Sequence, residues 1–183
     1  AALSMRAVTG KPIKLDGTAV RQLETNERRV EDPMISPDGR TVTYWAAETA
    51  GRPNGGSIYT LAMDGSSPPV QLTDRKAGSD ADPTWSPDGT MIAFRRRVSA
   101  DNFDVYLMRA DGSGVRPVAT GPAVEEKPSW SPDGRQMMII SNRDASGEPG
   151  KTYDAYVLDV DGGTPRPLGL SANVVLTPAW SYR

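Results

Sequence analysis

The sequence predicts an all-β protein, a β-propeller built from four-stranded antiparallel blades. The tetrapeptide Ser-Pro-Asp-Gly begins at Ser36, Ser86 and Ser131. In the last two copies a tryptophan stands directly before the serine, and Trp180-Ser181 repeats this pair. The Ser-to-Ser steps are 50, 45 and 50 residues (86 − 36, 131 − 86, 181 − 131), a period typical of propellers and other repeat arrays. The 16 prolines and 18 glycines cut the chain into short apolar runs of strand length.

The copy at residues 80–121 shows how one repeat forms a blade. Its tetrapeptide has the composition of a tight turn, in which proline presets φ and glycine takes a positive φ. The apolar run Met91–Phe94 predicts a strand covered on both faces, as in a sheet stacked between two others. The polar residues 95–102 predict a loop after this strand. We expect four strands in this copy, at residues 83–86, 91–94, 104–109 and 115–119.

Two prolines predict which strand of the blade lies outermost. Pro117 falls in the expected fourth strand, and Pro167 occupies the equivalent position of the next copy. Because proline cannot donate to a β-ladder, it belongs on an edge strand. The fourth strand is therefore expected at the outer edge of each sheet, and the first strand at the inner edge.

The fourth copy is divided between the two ends of the chain. An early strand is expected at 178–181, and late strands are expected at 12–15 and 20–23. In one domain covering 1–183, we predict blades at about 31–78, 79–124, 125–175, and 176–183 plus 1–30. Shared termini close a four-bladed ring without leaving an open sheet edge. The alternatives are half of an eight-bladed dimer and a fragment of a larger propeller.

Composition excludes several classes of function. Basic and acidic residues number 21 and 23, so the chain lacks the basic excess of a nucleic-acid binder. It contains no apolar run long enough for membrane insertion. It also contains no histidine and no cysteine, which removes the usual general base and the commonest transition-metal ligands. We therefore expect no catalytic residues, no cofactor and no metal.

Acidic residues recur just before the expected first strands, and we select Glu31, Asp32, Asp82 and Glu126 as candidate binding residues. Because the first strand of a propeller blade is innermost, these side chains are expected to rim one mouth of the central channel. A ring of carboxylates can hold a cation or a basic peptide segment. The alternative is local, since Asp before Pro favours the geometry that starts a strand.

Three consecutive arginines, Arg95, Arg96 and Arg97, form a second candidate site. Together with Trp45 of the preceding copy they would make a basic and aromatic patch, which binds carboxylates or phosphates. Arg97 is aligned with Arg143, which favours a structural role at that position. Arg95 and Arg96 lack such counterparts and are the better candidates for a contact surface.

Two further acidic patterns are interpreted as structural. The aspartate of each Ser-Pro-Asp-Gly recurs in three copies at a turn position, which indicates turn chemistry rather than an acid catalyst. The segment 142–148 places oxygen-bearing side chains at alternate positions, as a calcium loop does. Tyr153 stands where the bidentate glutamate of such a loop is required, so we interpret the segment as a polar hairpin loop.

The repeat resembles the WD40-like repeat of TolB-type β-propellers. The resemblance rests on the octapeptide Asp-Pro-Thr-Trp-Ser-Pro-Asp-Gly at 82–89, on the apolar strand after it and on the matching segment 128–134. It extends over essentially the whole chain. One departure is Ile35, which replaces tryptophan in the first full copy.

The resemblance implies a bacterial, periplasmic or otherwise extracytoplasmic scaffold that presents a binding surface to a protein or peptide. It does not imply a reaction, and we expect the chain not to be an enzyme. We expect no part of these 183 residues to form the extra N-terminal domain of TolB. The same repeat also forms the propellers of prolyl-oligopeptidase-like peptidases, so a propeller domain of a larger peptidase-like enzyme is one alternative function. A lyase or hydrolase using carboxylates and arginine is another. A homo-oligomer is compatible with all three functions.

Overall fold

In a computed structural model, residues 29–47, 55–74, 76, 78–144, 153–169 and 180 are described. They contain twelve strands in three four-stranded antiparallel sheets, which confirms the predicted all-β propeller architecture. The predicted blade made from 176–183 and 1–30 lies outside the described residues except for 29, 30 and Trp180. The number of blades in the ring therefore stays a prediction. No helix in the described part of the chain is long and apolar enough to cross a membrane.

Each sheet is one blade, with its strands side by side in chain order. The first blade consists of β1 Arg29–Ile35, β2 Thr41–Ala47, β3 Ser57–Ala62 and β4 Val70–Gln71. The second blade consists of β5 Ser79–Trp85, β6 Met91–Arg97, β7 Phe103–Arg109 and β8 Arg116–Ala119. The third blade consists of β9 Glu125–Trp130, β10 Gln136–Ser141, β11 Asp154–Asp159 and β12 Arg166–Pro167.

The first strands of the three blades are neighbours, and the fourth strands lie at the opposite edges of their sheets. β5 contacts both β1 and β9. Pro117 lies in β8 and Pro167 in β12, so the prediction that these prolines mark the outermost strand is confirmed.

Two strand boundaries in the second blade differ from the prediction. β5 begins at Ser79 rather than at residue 83, and β6 continues to Arg97 rather than ending at Phe94. The added residues pair with each other, since Ser79, Asp80 and Ala81 lie opposite the three arginines. Ion pairs between the two strands, Arg96 with Asp80 and Arg95 with Asp82, allow these charged residues to lie within the sheet. The acidic candidates therefore lie within the first strands, not before them, and the arginines lie in a strand, not in a loop.

The Ser-Pro-Asp-Gly segments are tight turns held by the serine and aspartate side chains. In the second blade, Ser86 Oγ donates to Asp88 Oδ1 over 2.6 Å and accepts from Met91 N over 2.9 Å. Gly89 has a φ of 72°, which only glycine adopts without strain. The same bonds recur in the other two blades. The hydrogen bond from Ser86 lowers the pKa of Asp88, which confirms turn chemistry for this aspartate.

Apolar side chains fill the interfaces between successive blades. Between the first and second blades, Ile58, Ile92 and Phe94 are fully buried in one cluster. Between the second and third blades, Leu107 packs with Ile139 in another. Both faces of the middle sheet are thus covered, as the apolar run in β6 predicts.

Tryptophans connect each first strand to the preceding blade. Trp85 Nε1 donates to Met34 O over 3.2 Å, and Trp130 Nε1 donates to Thr84 O over 3.2 Å. Trp180 continues the series with a 3.1 Å bond from its Nε1 to the carbonyl of residue 129. At the equivalent position of the first blade, Ile35 has no side-chain N–H to donate.

Replacing Trp130 by phenylalanine tests the contribution of these bonds. The bond of Trp130 is buried, so the Thr84 carbonyl would be left without its partner, at a cost of about 1–3 kcal/mol in the free energy of unfolding. Trp85→Phe is the matched control, because its bond is exposed to solvent. Urea denaturation should show a larger loss for Trp130→Phe. Equal losses would mean that the indole bonds do not connect the blades.

Candidate binding site at the first strands

A β-bulge interrupts every described first strand at the same position. There, two residues of the first strand lie opposite one residue of the second strand. The first bulge residue has a positive φ, 52° at Asp32 and Asp82 and 54° at Lys127, and a proline follows it in each case. Since a bulge breaks the in-and-out alternation of a strand, it redirects these side chains out of the regular pattern.

The three bulges line one cavity of about 280 Å³. Asp32 and Asp82 meet there with Lys127, each followed by its proline. Of the four acidic candidates, the structure thus brings two to this cavity, and the third equivalent position is basic. Across the three described blades, two aspartates and a lysine therefore stand where a ring of carboxylates was expected. Lys127 was missed from the sequence, although its position before a proline matches that of both aspartates.

At the interface of the second and third blades, the charges near this cavity form a closed network. Lys127 Nζ lies 2.6 Å from Asp82 Oδ1, and Arg95 Nε lies 3.0 Å from Asp82 Oδ2. Arg95 Nη1 lies 2.8 Å from Glu126 Oε2. Only 8% of the Asp82 side chain and 11% of that of Glu126 are exposed. Two cations and two anions balance, so this network neutralises its own charge.

At the interface of the first and second blades, the equivalent positions cannot form such a network. The strand registers place Asp32 where the other interface has Asp82, and Asp82 where it has Lys127. They place Trp45 where it has Arg95, and Ala81 where it has Glu126. Two carboxylates, an indole and a methyl group therefore replace the four charged side chains that form the three ion pairs of the network.

Asp32 is left without a cation of its own. Among the described residues it makes no hydrogen bond or ion pair, and its side chain is open to solvent. Nearby protein that displaces water raises its pKa, and the negative charge of Asp82 raises it further. The positive charges of Lys127 and Arg95 oppose this rise in pKa only in part. This carboxylate can gain stability by accepting a positive group.

A second cavity of about 480 Å³ lies at this interface, and we call it the interblade cavity. Arg95 and Arg97 line it together with Trp45, which confirms their predicted proximity. Phe103, which the sequence did not indicate, lies within cation–π distance of both guanidiniums, at 4.7 and 5.7 Å. The complete lining is Arg29, Glu31, Asp32, Trp45, Ser79, Ala81, Arg95, Arg97 and Phe103.

Arg96 lies outside both cavities and is held by the blade itself. Its Nε and Nη2 donate to the two carboxylate oxygens of buried Asp80, over 2.7 and 2.8 Å. Its guanidinium also lies over the rings of Phe94 and Tyr106. This geometry is that of a buried structural ion pair, so the structure gives Arg96 no place in the site.

The alignment of Arg97 with Arg143 is wrong by one position. Asp80 pairs with Arg96 in the second blade, and the equivalent Glu125 pairs with Ser141 in the third blade. The residue after Ser141, Asn142, is therefore the counterpart of Arg97. Arg143 instead reaches back to Glu125 over 2.7 Å. Arg97 thus has no repeated structural counterpart.

No group of three or more acidic residues within the described ranges is arranged to hold a metal ion. Asp82 and Glu126 belong to the closed network, and Asp32 lines both cavities. Glu31 forms a local ion pair with Arg29 at 2.8 Å. The arrangement is suited to binding charged groups.

Changing Asp82 to asparagine tests whether the closed network stabilises the fold. The change leaves Arg95 and Lys127 without their shared anion in a largely buried place, and we expect a loss of roughly 2 kcal/mol in unfolding free energy. Thermal and urea denaturation measure it. An unchanged stability would show that the network is incidental.

Asp32 is expected to behave in the opposite way. Because its pKa is raised in the folded state, the folded protein holds this proton more tightly, and stability falls as pH rises from the ordinary pKa of 3.8 through the raised pKa. Asp32→Asn removes this loss, so the variant should be at least as stable as the parent at neutral pH. Its advantage should shrink on acidification towards 3.8. Urea denaturation of both proteins between neutral pH and 3.8 measures this difference. A lower stability of Asp32→Asn at neutral pH would contradict the expectation.

Comparison with known proteins identifies the family. The family model of the TolB β-propeller domain matches residues 12–149. A TolB homologue of Chlorobium luteolum is 33% identical over 128 residues, which cover 70% of this chain and 27% of that protein. The uncharacterized peptidase YuxL of Bacillus subtilis is 31% identical over 114 residues, covering 60% of this chain and 17% of that protein. The chain thus spans about a quarter or less of the length of these two relatives.

A solved structure of a protein assigned as TolB, from Agrobacterium tumefaciens, has the same fold. It superposes with a TM-score of 0.67 over 82% of this chain and 52% of its own, at 24% sequence identity. This likeness supports the propeller architecture of the described blades. Since the family model matches most of its residues, the chain belongs to the TolB β-propeller domain family.

Proposed function

We propose that this chain is a non-catalytic binding module. A protein or peptide partner docks over the cavity formed by the three bulges, and Asp32 accepts a positive group of that partner. One observation carries the proposal: Asp32 has no cation partner among the described residues, whereas Asp82, its equivalent in the next blade, has two.

The electrostatic reason is the repulsion between Asp32 and Asp82. A partner's ammonium or guanidinium at Asp32 would relieve this repulsion and would stabilise the ionised form of a carboxylate whose pKa is raised. Such a group would neutralise Asp32 as Lys127 neutralises Asp82. Complementary charge of this kind favours the correct partner over others.

One charged contact is too weak to hold a partner by itself. A hydrogen bond to a charged group contributes roughly 1.5–3 kcal/mol, whereas a micromolar complex needs about 8 kcal/mol. Further surface is available beside the bulges, where an apolar cavity of about 460 Å³ is lined by Trp85, Trp130 and Trp180. The exposed side chains of Met34 and Ile35 also line it. A partner that covers both cavities would bury apolar surface in addition to its charge.

The chemistry of the site supports binding rather than catalysis. The chain contains no histidine or cysteine, and two of the carboxylates near the bulges are held in ion pairs. A general acid–base pair needs two groups that are free to exchange protons. Asp32 has no such second group beside it in the described residues.

A second function is supported by the relationship to the peptidase YuxL. The matched region covers 17% of that protein, so this chain corresponds to a small part of it. In this alternative, the chain is the propeller domain of a larger peptidase-like enzyme. The complete reading frame would distinguish the two, because only the enzyme would add a catalytic domain.

We also propose an extracytoplasmic, periplasmic location, as the TolB resemblance implies. Fractionation of cells that express the complete gene tests it. Recovery of the protein with the cytoplasmic fraction would contradict the proposal. The native mass of the purified chain decides separately between a monomer and a homo-oligomer.

Affinity capture from an extract of the source organism tests the proposed function. The parent protein, Asp32→Asn and Asp161→Asn are immobilised in parallel, and the retained proteins are identified by mass spectrometry. Asp161 is a suitable control because it is an exposed aspartate on the outer turn of the third blade.

The proposal predicts that the parent and Asp161→Asn retain the same protein in similar amounts. Asp32→Asn should retain about tenfold less of it, or less still, as expected for loss of one charge-assisted hydrogen bond. Equal retention by all three proteins would contradict the role of Asp32. If none of the three proteins retains a specific protein, the binding module itself is contradicted.

A further inference from the structure

We propose that the interblade cavity binds a zwitterionic peptide segment, with its positive group on Asp32 and its carboxylate on Arg97. The inference rests on the proposed function, since it uses the same Asp32. It adds the chemical class of the bound segment and a second contact residue.

Among the described residues that line the cavity, Asp32 and Arg97 are the two charged groups without an oppositely charged partner. Arg29 lies 2.8 Å from Glu31, so these two charges cancel. Arg95 belongs to the closed network with Asp82 and Glu126. Within the described part of the chain, no carboxylate lies within ion-pair distance of Arg97, and no cation lies within that distance of Asp32. One negative and one positive charge therefore face the same cavity.

Neutral groups hold Arg97 in place without cancelling its charge. Its Nε donates to Ser99 O over 2.9 Å, and its Nη2 donates to Ala100 O. Its guanidinium lies 5.7 Å from the centroid of the Phe103 ring. Two backbone carbonyls and an aromatic ring orient the group but leave N–H donors free. A carboxylate is the acceptor that suits a guanidinium best.

The walls and the size of the cavity suit a short peptide. Trp45 and Phe103 provide aromatic surface in the lining. A sphere of 480 Å³ is about 10 Å across, and an extended peptide of three residues spans at most about 10 Å. A chain of this length can bring an amino group to one end of the cavity and a carboxylate to the other. An apolar side chain between them can contact the aromatic wall.

The other interface shows the same charges supplied from within the protein. There, the consecutive residues Glu126 and Lys127 of the third blade provide one carboxylate and one ammonium. Lys127 neutralises Asp82, and Glu126 neutralises Arg95. The equivalent residues of the second blade are Ala81 and Asp82, which provide neither pairing. A positive group on Asp32 would supply the first pairing. Trp45 stands where the other interface has Arg95, so the carboxylate of the segment would pair with Arg97 instead.

The test uses the tripeptide Ala-Phe-Ala with both termini free as the probe. Two blocked forms are its controls: the N-acetylated peptide lacks the positive charge, and the C-terminal amide lacks the carboxylate. Isothermal titration calorimetry at low ionic strength measures the affinity of each for the whole chain. We expect the free peptide to bind about tenfold or more tightly than either blocked form, as for loss of a charge-assisted hydrogen bond.

Variants assign each charge to its residue. Arg97→Gln should weaken the free peptide to the level of the amide, and Asp32→Asn should weaken it to the level of the acetylated form. Arg40→Gln, which removes an exposed arginine at a turn of the first blade, should change nothing. Circular dichroism and thermal melting confirm that each variant is folded.

The outcomes separate this inference from the proposed function. If the amide binds as well as the free peptide while the acetylated form is weaker, Arg97 has no role, and only this inference fails. If the acetylated form binds as well as the free peptide, the role of Asp32 fails and takes the proposed function with it. Absence of saturable binding by the free peptide overturns the zwitterionic class.

Discussion

The left-handed residue in each first strand breaks the β-ladder at the same point of every described blade. With φ near 52° and a proline after it, this residue adds a position to the inner strand and turns its side chain out of the regular alternation. Because the first strands are neighbours, the three redirected side chains meet at one cavity. The sheets on either side remain regular and are packed by apolar residues. The backbone thus fixes where charge is placed, and the identity of one residue per blade fixes its sign.

The two described interfaces differ because that residue differs between the blades. Where aspartate meets lysine, four charged side chains close into a neutral network that is largely withdrawn from water. Where aspartate meets aspartate, no such network forms, and a cavity with an indole wall takes its place. The difference arises at a few equivalent positions on one backbone. A repeat fold can therefore keep one interface for stability and leave the next open for binding.

Much of this architecture could be predicted from the sequence, because its signals are local. The Ser-Pro-Asp-Gly turns depend on hydrogen bonds within six residues, and the edge position of Pro117 depends on one missing donor. The bulges could not be predicted in the same way. A positive φ at an aspartate or lysine has no sequence signature comparable to glycine, and an Asp-Pro pair is also typical of a strand that is about to begin.

The charged residues were harder to place for a physical reason. Three consecutive arginines predict a solvated loop, yet Arg96 lies inside a strand because Asp80 on the neighbouring strand neutralises it. That pairing depends on strand register, which a one-residue shift would destroy. The same register distinguishes Arg97, which lacks a carboxylate partner in the described chain, from Arg95, which has two. Strand register therefore determines which charges lack a partner among the described residues.

The most direct measurement of this account is the pKa of the Asp32 carboxyl in the folded chain, from its side-chain carboxyl ¹³C shift followed by NMR as a function of pH. The account predicts a value above the ordinary 3.8 of aspartate, because nearby protein and the charge of Asp82 disfavour ionisation and no cation of the described residues is paired with the group. A value at or below 3.8 would show that a positive group already neutralises Asp32, and the site would then be closed like its counterpart between the second and third blades.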